Sequence, residues 1–89
     1  MRKYKLVFDK KFIKNVVKIP KDLHASIALK LEKLKDFDIA LKTLDIKKLK
    51  WFENRYRLRI WKYRVLFEKY EDKLIILVIN IWSRWDVYK

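Results

Sequence analysis

A run of alternating charged and apolar residues between positions 55 and 68 constrains the fold more than any other feature of this chain. Its first half reads Arg55, Tyr56, Arg57, Leu58, Arg59 and Ile60. Successive side chains of a β-strand point to opposite faces, whereas a helix would scatter these arginines around its circumference. The period of two therefore predicts a strand over 55–60 with one cationic face and one apolar face.

A second alternating segment follows after a short turn and predicts the partner strand over 63–69. Its side chains alternate in the order Tyr63, Arg64, Val65, Leu66, Phe67 and Glu68. Two such strands joined by a short turn are typical of an antiparallel hairpin. We expect this hairpin to carry a cationic surface and an apolar underside that the rest of the chain supports.

The segments before the hairpin predict one strand and two amphipathic helices. Residues 3–8 are rich in strand-forming side chains, and Asp9 is suited to cap a helix over 10–18. Pro20 ends that helix and suits the first turn of a second helix over 21–35. Apolar residues recur at helical spacing on one face of this second helix, at Leu23, Ile27, Leu31 and Leu34.

Two further segments complete the predicted order. Apolar residues in 36–54 are irregularly spaced, which predicts a loop with room for one helical turn. The uninterrupted apolar run over 74–81 is typical of a strand that is covered on both faces and lies at the centre of a sheet. The order β-α-α-β-β-β predicts one α+β domain over 1–89. Two N-terminal helices would pack on one face of a mainly antiparallel sheet and leave the arginine face open.

The net charge indicates the class of partner. The 24 Lys and Arg residues outnumber the 11 Asp and Glu residues, which gives a formal charge of +13. A field of this size favours polyanions and accelerates their encounter. A lysine-rich solvated surface would explain the lysines as a set, but it does not explain why arginines cluster in one hairpin. Planar guanidinium groups are suited to bidentate phosphate recognition.

Composition excludes several other classes of protein. The chain has no cysteine, so disulfides and thiolate metal sites are impossible, and the sequence shows no metal-ligand cluster. It also lacks both an apolar run of about 18 residues and the apolar core of a signal peptide. These features predict a cytoplasmic protein that does not associate with a membrane.

The hairpin and the end of the chain resemble the toxins of the RelE/ParE superfamily. The resemblance lies in Leu49, Lys50 and Trp51, in the hairpin segment 55–67, and in the ending 84–88. It spans nearly the whole chain, including the helix pair before the sheet. Members of the superfamily belong to toxin–antitoxin systems. RelE-like members cut mRNA in the ribosomal A site, and ParE-like members poison DNA gyrase.

The resemblance implies a set of catalytic residues. By position, the cutting residues of RelE-like enzymes fall on Arg57, Arg59, Arg64, Arg84 and Tyr88. Arginines stay protonated in proteins, so they would stabilise the anionic phosphate rather than accept a proton. Arg84 would neutralise the leaving group, and Tyr88 would act as the base or orient the reacting hydroxyl. The implied reaction is a 2′-hydroxyl attack that uses no metal and no other cofactor.

The partners implied by the same resemblance are the ribosome with its mRNA, and an acidic antitoxin. Cleavage of mRNA is the leading hypothesis, because the ending with Arg84 and Tyr88 favours it over a ParE-like gyrase inhibitor. A third hypothesis is a nucleic-acid-binding relative that has lost catalytic activity.

The absence of glycine separates this chain from the superfamily and favours that third hypothesis. Relatives commonly have glycine at the positions of Trp51, Trp61 and Trp82, and glycine also occurs at the position of Trp85. Glycine adopts positive φ at turns without steric cost, whereas tryptophan does not. One explanation is a gene whose UGA codons specify glycine, as in some bacterial lineages, rather than tryptophan. The other is a real aromatic rim that restricts access near Arg64. The codons at these four positions distinguish the two.

Overall fold

The structure is a computed structural model that describes residues 3–83 as three helices packed on a five-stranded sheet. The strands are β1 (Lys5–Phe8), β2 (Asp45–Lys48), β3 (Arg55–Ile60), β4 (Tyr63–Tyr70) and β5 (Ile75–Ser83). The helices are α1 (Lys10–Val16), α2 (His24–Lys33) and α3 (Phe37–Thr43). One hydrophobic core joins the helices to a single face of the sheet. The predicted α+β class is confirmed.

The sheet has the order β1-β5-β4-β3-β2 and is mainly antiparallel, as predicted. Among the described strands, β1 and β5 form the one parallel pair. The central strand is β4, whereas the prediction placed the apolar segment 74–81 at the centre. That segment forms β5, which is interior but is packed by the core on one face only. On its other face Ile75 and Leu77 are half-buried and do not belong to the core. The prediction that this strand is covered on both faces is therefore wrong.

The first two helices follow the predicted signals with shorter bounds. The Asp9 carboxylate accepts a hydrogen bond of 3.0 Å from the backbone N–H of Lys11 and caps α1. Helix α1 ends at Val16, two residues before its predicted end. Pro20 precedes a 3-10 turn, Lys21–Leu23, that leads directly into α2. The predicted helix 21–35 is therefore a 3-10 turn followed by a ten-residue α-helix.

The prediction of a loop with room for one helical turn is wrong for more than half of the segment 36–54. It contains α3, which has seven residues, and β2, which has four. Elements this short repeat their apolar positions once or twice, so they show no clear period in the sequence. In α3 the buried residues are Phe37 and Ala40, and in β2 only Ile46 packs against the core.

The hairpin of β3 and β4 has the predicted two faces. The core side chains from these strands are Leu58, Ile60, Tyr63, Val65 and Phe67, all of which are buried. Tyr56 extends this face, because its ring stacks on Phe67 with centroids 5.4 Å apart and meets Phe37 edge-on at 5.2 Å. The hairpin aromatics are therefore core anchors, and the intervening residues point to the open face of the sheet.

Two of the tryptophans stand where the backbone favours glycine. Trp51 has φ of 73° and Trp61 has φ of 55°. Trp61 opens the two-residue turn between the paired residues Ile60 and Tyr63, which is the position that a type II′ turn normally gives to glycine. Leu74, at φ of 52°, is a third residue in this region of φ. Each such conformation costs an L-residue other than glycine roughly 1–2 kcal/mol.

Replacing Trp51 by glycine is expected to stabilise the fold. The side chain of Trp51 is 95% exposed, so its removal sacrifices almost no packing. Relief of the left-handed strain exceeds the extra backbone entropy of glycine, for a net gain of about 0.5–1 kcal/mol in the free energy of unfolding. Urea denaturation measures this gain. Trp51→Ala is the matched control, because it removes the indole but keeps the Cβ atom. Equal stability of the two variants would contradict the strain.

Candidate nucleic-acid interface

The open face of the sheet carries four cations in two adjacent rows across β2, β3 and β4. In one row Lys47 lies opposite Arg57, and in the next Arg59 lies opposite Arg64. Residues opposite one another have Cβ atoms roughly 5 Å apart, and diagonal neighbours such as Arg57 and Arg64 are roughly 7–8 Å apart. The structure thus brings together three of the five residues that the sequence nominated. We call Lys47, Arg57, Arg59 and Arg64 the cationic patch.

A groove of about 430 Å³ opens beside this patch at the β2 edge of the sheet. Its lining residues are Lys47, Lys48, Leu49, Lys50, Arg57 and Arg64. All of them except Leu49 carry a positive charge. Arg59 belongs to the cationic patch but does not line this edge groove, and its side chain is exposed. The edge groove offers a polyanion a cationic channel that continues from the patch.

Little negative charge neutralises the cationic patch. Arg57 Nη2 lies 3.5 Å from Asp45 Oδ1, a long contact to a carboxylate that is itself 58% exposed. Exposed pairs of this kind contribute little free energy. Within residues 3–83, neither Arg59 nor Arg64 forms an ion pair. These two arginines lie directly opposite each other, which is a repulsive arrangement. Asp45 lies opposite Arg59 on β2, but its exposed carboxylate offsets the repulsion only in part.

Arg55 shares the open face but has a structural role. Its Nε donates a hydrogen bond of 2.6 Å to Glu68 Oε2, and its guanidinium lies 4.5 Å from the centre of the Phe52 ring. The Tyr70 hydroxyl donates a hydrogen bond of 2.5 Å to the other oxygen of the same carboxylate. The Tyr70 bond, followed by the Arg55 guanidinium, lowers the pKa of Glu68 against the opposing effect of burial. Arg55 is therefore held within the fold and does not belong to the cationic patch.

The remaining two nominated residues, Arg84 and Tyr88, lie outside the described residues. The last described residue is Ser83, at the end of β5. Just before it, Trp82 lies opposite Arg64 in the β4–β5 ladder, so the third tryptophan borders the cationic patch. Its indole N–H is buried and has no hydrogen-bond partner among the described residues.

The lysines of the edge groove were missed by sequence reasoning. Lys47, Lys48 and Lys50 fall in the segment that was expected to be a loop, and a loop has no register that would place them beside the arginines. The one available signal was the short alternation of Asp45, Ile46 and Lys47, which is compatible with an edge strand.

The described part of the chain offers no candidate metal site and no candidate membrane-spanning helix. No group of three or more His, Cys, Asp or Glu side chains with a geometry that could hold a metal ion occurs within residues 3–83. None of the helices there combines the length and the apolar character that crossing a membrane requires.

Comparison with known proteins identifies the family. A family model described as the ParE toxin of the type II toxin-antitoxin system, parDE, matches residues 6–88. The chain belongs to the RelE/ParE superfamily of toxins. The resemblance inferred from the hairpin and the ending is therefore confirmed, and the protein is a toxin of a toxin–antitoxin system.

Relatives of known sequence and structure cover most of the chain. Toxin RelE3 of Methanocaldococcus jannaschii is 36% identical over 73 residues, which are 80% of this chain and 82% of the relative. Putative toxin RelE1 of the same organism is 37% identical over 86 residues, or 92% and 96% of the two chains. The RelB-RelE antitoxin-toxin complex from Methanococcus jannaschii contains a similar chain, with a TM-score of 0.76 at 29% identity and coverage of 92% and 94%.

A more distant structure supports the fold alone. A chain of the archaeal RelE-RelB complex from Pyrococcus horikoshii has a TM-score of 0.80 at 20% identity, with coverage of 92% of this chain and 96% of that chain. The family model carries the ParE name, whereas these relatives carry the RelE name. Both belong to one superfamily, and the difference bears on the proposed activity.

The contacts of the Glu68 carboxylate with Arg55 and Tyr70 make a pH-dependent contribution to stability. Glu68→Gln should remove this contribution. The pKa of Glu68 is below its ordinary value of 4.5 in the folded protein, so the carboxylate stabilises the fold above that pH. This stabilisation is lost as the pH falls through the lowered pKa. The wild type should therefore exceed Glu68→Gln in stability most at neutral pH, and the difference should shrink in acid. Urea denaturation from pH 7 to pH 3 measures it.

Glu32→Gln is the control for this experiment, since Glu32 pairs with Lys35 at 3.0 Å on an exposed helix surface. Its effect on stability should be small at every pH. A difference between wild type and Glu68→Gln that stays constant across the range would contradict the assignment.

Proposed function

We propose that this toxin is a RelE-like endoribonuclease that cuts mRNA in the A site of the ribosome. The observation that carries the proposal is the cationic patch, in which Arg59 and Arg64 face each other and neither forms an ion pair within residues 3–83, although Asp45 lies opposite Arg59 on β2. Like charges held this close are stabilised by a bound anion, and a phosphate in the act of reacting is a strongly charged anion. The RelE names of the two curated relatives add support.

The proposed chemistry uses the RNA as its own nucleophile. The 2′-oxygen attacks the adjacent phosphorus, the bond from phosphorus to the 5′-oxygen breaks, and a 2′,3′-cyclic phosphate forms. Arg57, Arg59 and Arg64 stabilise the extra negative charge on the crowded phosphate, and they stay protonated throughout. Arg84 neutralises the departing 5′-oxygen, which takes up a proton. Tyr88 accepts the proton of the 2′-hydroxyl or holds that hydroxyl in line for attack.

Arg64→Ala should reduce cleavage by two or more orders of magnitude. That loss corresponds to about 3 kcal/mol of transition-state stabilisation. Stability should change little, because the guanidinium has no ion pair within residues 3–83 and its removal relieves repulsion with Arg59. The measurement is A-site cleavage on ribosomes programmed with mRNA, beside urea denaturation of the same variant.

Lys33→Ala is the matched control for lost charge, since Lys33 is an exposed residue of α2 on the covered side of the sheet. It should cleave nearly as well as the wild type. Undiminished cleavage by a folded Arg64→Ala variant would remove Arg64 from the site.

Gyrase inhibition is the second candidate, because the matching family model is that of the ParE toxin. The two functions give different products. Cleaved mRNA on ribosomes supports the proposal, and DNA breaks formed with gyrase support the alternative. A folded protein that does neither but binds nucleic acid would be a non-catalytic relative.

The proposed partner in the cell is an acidic antitoxin, by analogy with the RelB chains in the similar complexes. The described helices expose several large apolar side chains, at Ile13, Leu29, Ile39 and Leu41. A partner that folds on binding would dissociate slowly because it buries this apolar surface. Its acidic residues, facing the cationic patch, would raise the association rate. We expect the C-terminal segment of the antitoxin to wrap the domain in this way.

Salt should slow the association of toxin and antitoxin much more than it changes their dissociation. Raising the salt concentration from about 0.1 to 0.5 M shortens the Debye length to below roughly 5 Å, which screens the approach but leaves apolar contacts intact. Surface-immobilised binding across that range measures both rates. An association rate that does not change with salt would mean that the charge of +13 plays no part in antitoxin binding.

A further inference from the structure

We infer that Lys47 and Lys50 at the β2 edge form a phosphate subsite that holds the mRNA backbone beside the phosphate that is cut. The inference rests on the proposed function and adds a second binding position to the same site. The lysines lie next to the residues proposed to act on the phosphate but are not among the catalytic residues that the resemblance implies.

The backbone holds these lysines against the cationic patch. Lys47 pairs with Arg57 across the β2–β3 ladder, and Lys48 pairs with Tyr56. Beyond the strand, the N–H of Leu49 donates a hydrogen bond of 3.0 Å to the Arg55 carbonyl, which continues the ladder toward Lys50. Main-chain hydrogen bonds thus hold Lys47 on the face of the arginines and Leu49 next to Lys50, whereas Lys48, opposite Tyr56, has its side chain on the core face.

The edge groove has room for more than one phosphate. It reaches from Arg64 on β4 past Arg57 on β3 to the lysines of β2 and the following loop. Neighbouring strands are roughly 4.8 Å apart, so the channel crosses about 10 Å of sheet. A polynucleotide presents phosphates at regular intervals, so it can place one phosphate near each end of this channel at the same time. The two arginines at one end would hold the reacting phosphate, and the lysines would hold its neighbours.

The chemistry of the lining favours a polynucleotide over an acidic peptide. Among the residues that line the edge groove, Leu49 alone is apolar, and the rest are cationic. A peptide partner that dissociates slowly needs apolar anchors, and the exposed apolar side chains of the described helices offer them elsewhere. Lysine ammonium groups act as mobile point charges, which suits a phosphate backbone that is held for affinity and not for chemistry.

The test is the salt dependence of RNA binding by the double variant Lys47→Gln/Lys50→Gln. The probe is a fluorescein-labelled single-stranded RNA with 2′-O-methyl groups throughout, which cannot be cleaved by 2′-hydroxyl attack. Fluorescence anisotropy from 50 to 200 mM salt gives the slope of log K against log salt. Each lost phosphate contact lowers that slope by about 0.7, so the double variant should lose roughly 1.4.

The matched control is Lys33→Gln/Lys42→Gln, which removes the same charge from exposed positions on α2 and α3. A slope for the groove variant equal to that of the control overturns the inference. A synthetic polyglutamate peptide tests the other class of ligand. Loss of peptide binding with an unchanged RNA slope would also overturn it, because the edge groove would then belong to an acidic protein partner.

Kinetics on programmed ribosomes separate this inference from the proposed function. The groove variant should raise KM several-fold and leave kcat unchanged, whereas an equal fall in kcat would overturn the assignment to affinity. If the wild type does not cleave but the RNA slope falls as expected, the subsite stands and the endonuclease proposal fails. If Arg64→Ala abolishes cleavage and the groove variant behaves like the control, the endonuclease proposal stands and the subsite fails.

Discussion

The pairing of β3 with β4 is the interaction on which both the core and the candidate site depend. Its register places Leu58 against Val65 inside the core and, in the next pair, Arg59 against Arg64 on the open face. A slip of one residue would exchange the two faces and bury guanidinium groups without partners. Because the buried aliphatic and aromatic side chains fix this register, the repulsive arginine pair is tolerated. The core therefore holds two cations together that would separate if they were free.

The arginines of β3 divide into one that is neutralised and two that stay available. Arg55 is held by Glu68 and rests on Phe52, at the end of the strand near the β4–β5 turn. Arg57 has only a long contact with an exposed carboxylate, and Arg59 has no ion pair within residues 3–83. The first end of the strand is thus neutralised by an ion pair, whereas at the other end Asp45 lies opposite Arg59 without forming one.

The periodic spacing of apolar side chains and the capping residues predicted each element that was long enough to repeat its pattern. Side-chain periodicity predicted the two hairpin strands and helix α2, and hydrogen-bonding chemistry predicted the cap at Asp9. Helix α3 and strand β2 could not be predicted in this way, because each shows its core face through one or two residues. The same limit applied to the candidate site. The arginines could be predicted from the alternating pattern of the hairpin. The lysines beside them could not, because they lie on or next to β2, which forms through tertiary pairing with β3. The position of β4 at the centre of the sheet also depends on pairing and leaves no mark on its own sequence.

The three described tryptophans at positions where the family resemblance implies glycine differ in what they affect. Trp51 and Trp61 adopt positive φ in turns, so their backbone strain lowers the stability of the whole fold. Trp82 lies within β5 without that strain, and its indole N–H is buried without a partner among residues 3–83. The two turn positions disfavour tryptophan through their backbone conformation, which fits glycine codons better than an aromatic rim. Only Trp82 lies opposite Arg64. A bulky side chain there would restrict the approach of RNA to the cationic patch, whereas glycine would leave Arg64 accessible. Whether the codon at position 82 specifies tryptophan or glycine would therefore affect the proposed activity.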